Sequence, residues 1–278
     1  MHAAFDAGYR FFDHADIYCL GKSESVFGEW LKEKPSIREE IIIQTKAGIE
    51  LGKGYKGSNR YNFDPAYLHQ QLEKSMARLG VDVIDVFLLH RPDPLWDPAA
   101  VATTFHEMHS RGLVQHFGVS NMNVNQIRLL QQHLELPLIT NQIQLSLGHS
   151  GILNEGVDLN SDKYQSTGMT GLLEYAQTNQ MALQLWSPLD KGRFAIQDQI
   201  KNPEDKDVEN MLNSLAEKYN CTIETIQIAW TLKIPGIIQP VIGTTHPGRI
   251  KACAQAKSLE LTREEWYDLW IAARGGVN

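Results

Sequence analysis

Short apolar runs alternate with amphipathic stretches along almost the whole chain, and that alternation limits the fold more than any single motif. The runs lie at Tyr9–Phe12, Ile41–Thr45, Val83–Leu89, Val114–Val119, Leu138–Ile143, Ala182–Trp186 and Ile237–Ile242. They are continuously apolar rather than alternating, which suits parallel strands buried on both faces. Between them, Leu68, Leu72, Met76 and Leu79 recur at spacings of 4, 4 and 3 and make one helical stripe. Ile127, Leu130 and Leu134 form another, as do Ile223, Ile226 and Trp230. Capping chemistry marks several helix starts: Asp64 precedes Pro65, Asp97 precedes Pro98, and Thr262 stands three residues before Glu265. The stretch Asp207–Lys233 reads as two successive helices.

Strand–helix alternation implies a parallel sheet with helical crossovers. No Pro/Gly/Ser-rich linker interrupts it, so residues 1–278 read as one α/β domain. The expected architecture is a TIM-type (β/α)8 barrel, which uses about 250 residues, or about 30 for each strand–helix unit. Seven strands are visible instead of eight, and His2–Ala7 looks like the end of a helix closed by Gly8. The expectation is therefore a barrel incomplete at its N-terminus, lacking the first strand and most of the first helix. A start assigned too late or a shortened chain accounts for this better than a seven-strand variant, whose open edge would be unpaired. Three irregular segments, Leu51–Phe63, Leu147–Gly168 and Asp190–Asp205, follow strands on the side where barrels carry substrate and cofactor loops.

Composition narrows the function classes. Hydrophobic residues make up 42% of the chain and charged residues 21%, an ordinary globular balance. No apolar run approaches the roughly 18 residues of a membrane span, and Met1–Gly8 lacks the form of a secretory signal. The three cysteines, Cys19, Cys221 and Cys253, show no metal-ligand spacing, and the expectation is free thiols in a reducing cytoplasm. A net charge of −7 with scattered cations argues against a nucleic-acid-binding face.

The strongest local signal is Gly8-Tyr9-Arg10-Phe11-Phe12-Asp13-His14-Ala15-Asp16-Ile17-Tyr18, where an acid ends a strand and a tyrosine follows five residues later. Alone, Asp13 also fits a turn cap and Tyr18 a packed rim residue. The next strand, however, ends at Gln44-Thr45-Lys46, and the third at Leu88-Leu89-His90-Arg91-Pro92. Asp13 with Tyr18, Lys46 and His90 thus come from three successive strand ends, where barrel enzymes place catalytic groups. These four types suit carbonyl reduction. Hydride arriving at a carbonyl carbon leaves negative charge on oxygen, which then needs a proton. A phenol with a pKa of about 10 is a poor acid near neutrality, and a neighbouring ammonium favours its phenolate. Asp13 would hold the ammonium, and His90 would hydrogen-bond the carbonyl oxygen.

These motifs resemble those of the aldo-keto reductase family along nearly the whole chain. Asp13 to Tyr18 matches the family's first signature, which implies Tyr18 as proton donor with Lys46 and His90 beside it. His14 and the run His90-Arg91-Pro92-Asp93-Pro94 resemble a bacterial, YdhF-like subgroup of these oxidoreductases. The resemblance further implies that Ser120, Asn121 and Gln142 bind the nicotinamide carboxamide and that Trp186 stacks on its ring. Ser187 and Leu189 would approach the pyrophosphate, and Gly243, Thr244, Thr245 and Arg249 the adenosine 2′-phosphate. Gly243 stands where that motif often has lysine, and His246 where a capping threonine or serine is more usual. Pro247 at a helix start adds an anion-attracting N-terminus, which favours NADP(H) over NAD. Singly, Trp186 also fits ordinary core, Ser120 a cap for the helix after Asn123, and Arg249 a solvated first turn.

The expectation is a cytoplasmic monomer, the default implied by the resemblance, reducing a small-molecule aldehyde or ketone, with no metal, nucleic-acid or membrane partner. An NADP-binding redox-sensing regulatory subunit with little turnover is the alternative. Trp96, Tyr55, Tyr61 and the Leu147–Gly168 loop are candidate substrate walls.

Overall fold

The computed structural model describes residues 1–194 and 203–275, so the middle of the expected Asp190–Asp205 loop lies outside the described residues. Packing divides the chain into two compact units. One comprises Tyr9–Asn141 with Met1; the other comprises His2–Gly8, with the short helix α1 (His2–Asp6), and the chain from Gln142 onward.

The first unit holds β1 (Phe11–Asp13), β2 (Ile42–Ala47), the two-residue strands β3 (Ile49–Glu50) and β4 (Arg60–Tyr61), β5 (Ile84–Leu89) and β6 (Val114–Ser120). In the main sheet β1, β2, β5 and β6 are neighbours in that order, and β7 (Leu138–Gln144) begins next. Pairing is parallel, with Asp13 opposite Gln44, Gln44 opposite Val86 and Val86 opposite His116. Every residue of β5 is buried, as continuous apolarity requires. Side chains alternate along a strand, so Gln44 and Lys46 share one face of β2 and Thr45 takes the other.

The helices here are α2 (Lys22–Glu33), α3 (Pro65–Leu79), α4 (Pro98–Ser110) and α5 (Val124–Gln131). Asp64 and Asp97 cap α3 and α4 as expected, each accepting two backbone N–H groups. The stripe on α3 is rotated slightly from its sequence pattern. Leu68, Leu72 and Leu79 are fully buried, but Ser75 rather than Met76 completes the buried face. Two features explain this. The Arg78 guanidinium donates to Ser75 Oγ at 3.2 Å, and α2 approaches so closely that a Cβ on Gly28 would sit 2.3 Å from the Arg78 carbonyl oxygen. Aromatic rings fill the rest: Phe12, Phe27 and Trp30 cluster between β1 and α2, and Phe105 stacks on Phe117 at 4.1 Å.

The second unit contains the end of β7, then β8 (Ala182–Trp186) and β9 (Ile238–Val241), which pair in parallel with Leu183 opposite Ile238. Its helices are α6 (Gly151–Asp158), α7 (Leu172–Thr178), α8 (Pro203–Tyr219), α9 (Ile223–Leu232), α10 (Pro247–Gln255) and α11 (Arg263–Arg274). α8 and α9 are the two helices expected within Asp207–Lys233. Trp230 and Trp266 stack at 5.1 Å, and each indole N–H donates to the other's carbonyl oxygen, at 3.1 and 2.9 Å. That reciprocal pair locks α9 to α11. Thr262 and Glu265 form the expected capping box.

Two segments expected to be irregular carry structure. Within Leu51–Phe63, β4 pairs antiparallel with β3, and Arg60 bonds Glu50 across the pair. Within Leu147–Gly168 lies α6, whose buried Glu155 accepts hydrogen bonds from Tyr164, Ser166, Thr167 and Thr170. An eight-residue helix held by polar anchors from its own loop is too short for its period to stand out from a loop in the sequence. Among the described residues, no helix is long and apolar enough to cross a membrane.

Candidate active site

The first unit gathers Asp13, Tyr18, Lys46 and His90 at the ends of β1, β2 and β5. Backbone bonds fix their heights: His14 N–H donates to Gln44 O (2.8 Å), Asp16 N–H to Lys46 O (3.0 Å) and His90 N–H to Ala47 O (2.8 Å). Lys46 is fully buried, and its Nζ donates to Asp13 Oδ2 at 2.7 Å, to the His14 carbonyl at 2.7 Å and to Tyr18 Oη at 3.1 Å. An ammonium has three N–H donors, and these three acceptors use them all. The side chain therefore has one position, with Tyr18 oxygen in it.

Gln44 was not among the residues that the sequence singled out. Its Nε2 donates to Asp13 Oδ1 at 2.5 Å, so the aspartate is held from both oxygens. The available signal was parity, since Gln44 lies two residues before Lys46 on the same strand face. Tyr18 as a residue is 36% exposed. The His90 ring meets the Tyr18 ring edge-on at 5.8 Å.

Burial lowers the His90 pKa to about 3, with the Lys46 charge acting in the same direction. Its Nδ1 is buried without a hydrogen-bond partner among the described residues. A neutral imidazole carries one N–H donor, so His90 can donate to a ligand oxygen without adding charge. His14, edge-on to Phe27 at 4.5 Å, is likewise lowered to about 4, first by burial. Asp16 moves the other way, raised to about 7 by burial and then by Glu24.

These shifts fix a sign for stability. Both histidines have folded pKa values below the unfolded value of about 6.5. Their contribution is present above pH 6.5 and is lost as pH falls through that value towards 4 and 3. Asp16, raised in the folded state, contributes at low pH and loses that contribution as pH rises through 7. Denaturation midpoints should therefore fall between pH 6.5 and 4.5, and Asp16→Asn should make the fall steeper by removing an opposing group. Parallel profiles for the variant and wild type would contradict this assignment.

Ser120 ends β6, and Asn121 follows in the left-handed region (φ +56°), donating from Nδ2 to Ser120 Oγ at 2.7 Å. A non-glycine residue in that region is strained, a state that concentrates at functional sites. Asn123, not Ser120, caps α5, through a capping box with Gln126. Of the candidate substrate walls, Tyr55 and Tyr61 are exposed, whereas Trp96 packs edge-on against Phe63 at 5.8 Å. Asp93 pins that corner by accepting Phe63 N–H and Leu95 N–H, both at 2.9 Å.

The second unit carries the other sequence-selected residues. Gln142 donates to Gln184 Oε1, and Gln184 donates to Gln239 Oε1, each at 3.0 Å. Trp186 ends β8 half-buried, and Ser187 follows with φ +53°. A cleft of about 330 Å³ is lined by Ser187, Leu189, Gly243, Thr244 and Arg249, with Lys191 and Glu224 as further charged walls. Exposed Thr245 is not part of that lining. His246 caps α10 by accepting the Arg249 N–H at Nδ1 (3.4 Å), and Pro247 occupies the first turn. The replacement for a capping threonine thus still caps. Lys191 and Glu224 were missed because neither belongs to a strand-end motif; Glu224 sits in the first turn of α9.

The aldo/keto reductase family pattern matches residues 1–272, and the chain belongs to that family. It is 34% identical to the oxidoreductase YdhF of Escherichia coli over 272 residues, covering 97% of this chain and 85% of the relative. It is also 34% identical to a 6-dehydroglucose reductase of Novosphingobium aromaticivorans, covering 99% and 84%. Among solved structures, a glycerol dehydrogenase from Gluconobacter oxydans matches with a TM-score of 0.81 at 23% identity, over 99% of this chain and 84% of that one. An aldo/keto reductase from Klebsiella pneumoniae in complex with NADP and acetate matches with a TM-score of 0.72 at 20% identity, over 96% and 81%. The fold is the TIM-type (β/α)8 barrel expected from the strand–helix alternation.

Proposed function

We propose that this chain reduces an aldehyde or ketone to an alcohol with NADP(H), using Tyr18 as the proton donor. The observation that carries this reading is the buried Lys46 ammonium, bonded at once to Asp13, the His14 carbonyl and the Tyr18 oxygen. When bound, the reduced nicotinamide supplies the hydride. The protein's part is the proton and the charge. Tyr18 Oη–H donates to the carbonyl oxygen as negative charge develops there, and the phenolate left behind faces the Lys46 ammonium at 3.1 Å. Asp13 keeps that ammonium in place, and Gln44 keeps Asp13 in place. Neutral His90 donates a second hydrogen bond to the same oxygen.

For the cofactor, the donor set around the second-unit cleft suits phosphate: Arg249, Lys191, Thr244, Ser187 and the N-terminus of α10. In this reading Arg249 takes the 2′-phosphate with Gly243, Thr244 and Thr245 beside it, while Ser187 and Leu189 approach the pyrophosphate. Ser120, Asn121 and Gln142 hold the carboxamide, and Trp186 stacks on the ring. Residues 1–278 then belong to one family domain, in keeping with a family match that runs through both compact units.

The test is NADPH oxidation with an activated aromatic aldehyde or a dicarbonyl, followed by absorbance. Turnover supports the reductase reading. NADP binding without turnover supports the regulatory-subunit alternative, and neither binding nor turnover overturns both. Arg249→Ala should weaken NADPH binding about tenfold while leaving NADH nearly unchanged, as expected for loss of a charge-assisted bidentate contact. Equal losses for the two cofactors in a titration would remove Arg249 from the phosphate site.

A further inference from the structure

The phosphate cleft of the second unit contains a charge that a purely phosphate-binding site would exclude. Among the described residues, Glu224 is the one acid lining it. Its Oε1 lies 3.3 Å from Arg249 Nε, and its side chain is only 13% exposed against 46% for the arginine. Glu224 stands in the first turn of α9, behind the N-cap Thr222, where the helix dipole favours a carboxylate. The acid is therefore the fixed partner of the pair, and the exposed guanidinium is the movable one. Lys191 supplies a second cation to the same cleft, and Gly243 lines it without a side chain.

The two ribose forms make opposite demands. A 2′-phosphate carries close to two negative charges and takes arginine bidentately. A 2′-hydroxyl is a donor that a carboxylate accepts, which is how acids at ribose sites select the unphosphorylated cofactor. Here both recognition groups touch each other in one cleft. A phosphate drawn to Arg249 must sit within a few ångströms of the Glu224 carboxylate, a repulsion large enough to alter affinity tenfold. An unphosphorylated ribose leaves the ion pair intact and can donate to Glu224.

We propose that Glu224 is the specificity-determining residue of this cleft: it accepts the ribose hydroxyl of NAD(H) and opposes the 2′-phosphate of NADP(H). The chain consequently uses both dinucleotides rather than NADP(H) alone. This rests on the cofactor reading above and refines it.

Calorimetric titration of the full chain with 5′-AMP, adenosine 2′,5′-bisphosphate, NAD⁺ and NADP⁺ separates the two claims. Wild type should bind both members of each pair with affinities within about tenfold of each other. Glu224→Gln keeps the shape and removes the charge. It should tighten adenosine 2′,5′-bisphosphate and NADP⁺ about tenfold while weakening 5′-AMP and NAD⁺ about threefold. A merely structural role for Glu224 would move both pairs in the same direction. Parallel shifts, or none, in a protein whose wild type binds the nucleotides would overturn this proposal and leave the cofactor reading standing. Failure of wild type to bind any of the four would overturn the cofactor reading and this proposal with it.

Discussion

Replacing Tyr18 with phenylalanine is expected to lower kcat for carbonyl reduction by roughly 100- to 10,000-fold, the usual contribution of a positioned acid–base group. The change removes one oxygen from a ring that is already 36% exposed, so folding should be untouched. Lys46 Nζ loses one of three acceptors but keeps Asp13 and the His14 carbonyl, each at 2.7 Å. Cofactor affinity should therefore stay near the wild-type value while turnover collapses. Single-turnover kinetics with bound NADPH would measure this directly. Activity within about threefold of wild type would show that another group supplies the proton.

The second large effect concerns stability and lies behind the site, on the other face of β2. Glu24 is fully buried on α2 and accepts Thr45 Oγ–H at 2.6 Å and Arg78 Nε–H at 2.7 Å, with a further Arg78 contact at 2.6 Å. This is a three-element junction of β2, α2 and α3. Glu24→Ala leaves the guanidinium and the threonine hydroxyl without their acceptor and should cost about 3–5 kcal/mol in denaturant unfolding. The double variant Glu24→Leu/Arg78→Met should recover most of that loss, because replacing both members of a buried pair by apolar groups is often nearly neutral. Equal losses for the single and double variants would place the cost in packing rather than in the stranded charge. The junction also bears on the site above it, since Glu24 is the second-largest influence raising Asp16.

The strand–helix alternation, seven strands to within two residues, and the caps at Asp64, Asp97 and Thr262 were all legible in the sequence. Each depends on local periodicity or on a side chain reaching its own backbone, and neither needs long-range information. The candidate tetrad was legible for a related reason. Parallel strands deliver their C-terminal residues to one edge, so Asp13, Lys46 and His90 could be grouped once the strands were placed. Gln44 was not selected with them: period-2 parity puts it on the same face of β2 as Lys46, but only its contact with Asp13 gives that parity a meaning.

Other features were decided by tertiary packing alone. Ser75 displaced Met76 from the buried face of α3 because Gly28 lets α2 approach and Arg78 turns inward to Glu24, partners separated by 54 residues in the chain. The depressed His90 and His14 and the raised Asp16 arise mainly from burial, which no residue type announces. Glu224 carries no motif at all. Its pairing with Arg249 exists because α9 and α10 pack together. Sequence thus determined which groups could do chemistry, through periods that the backbone imposes. Tertiary structure decided which charges meet, because Coulomb and desolvation energies depend on distances that only the packed chain sets.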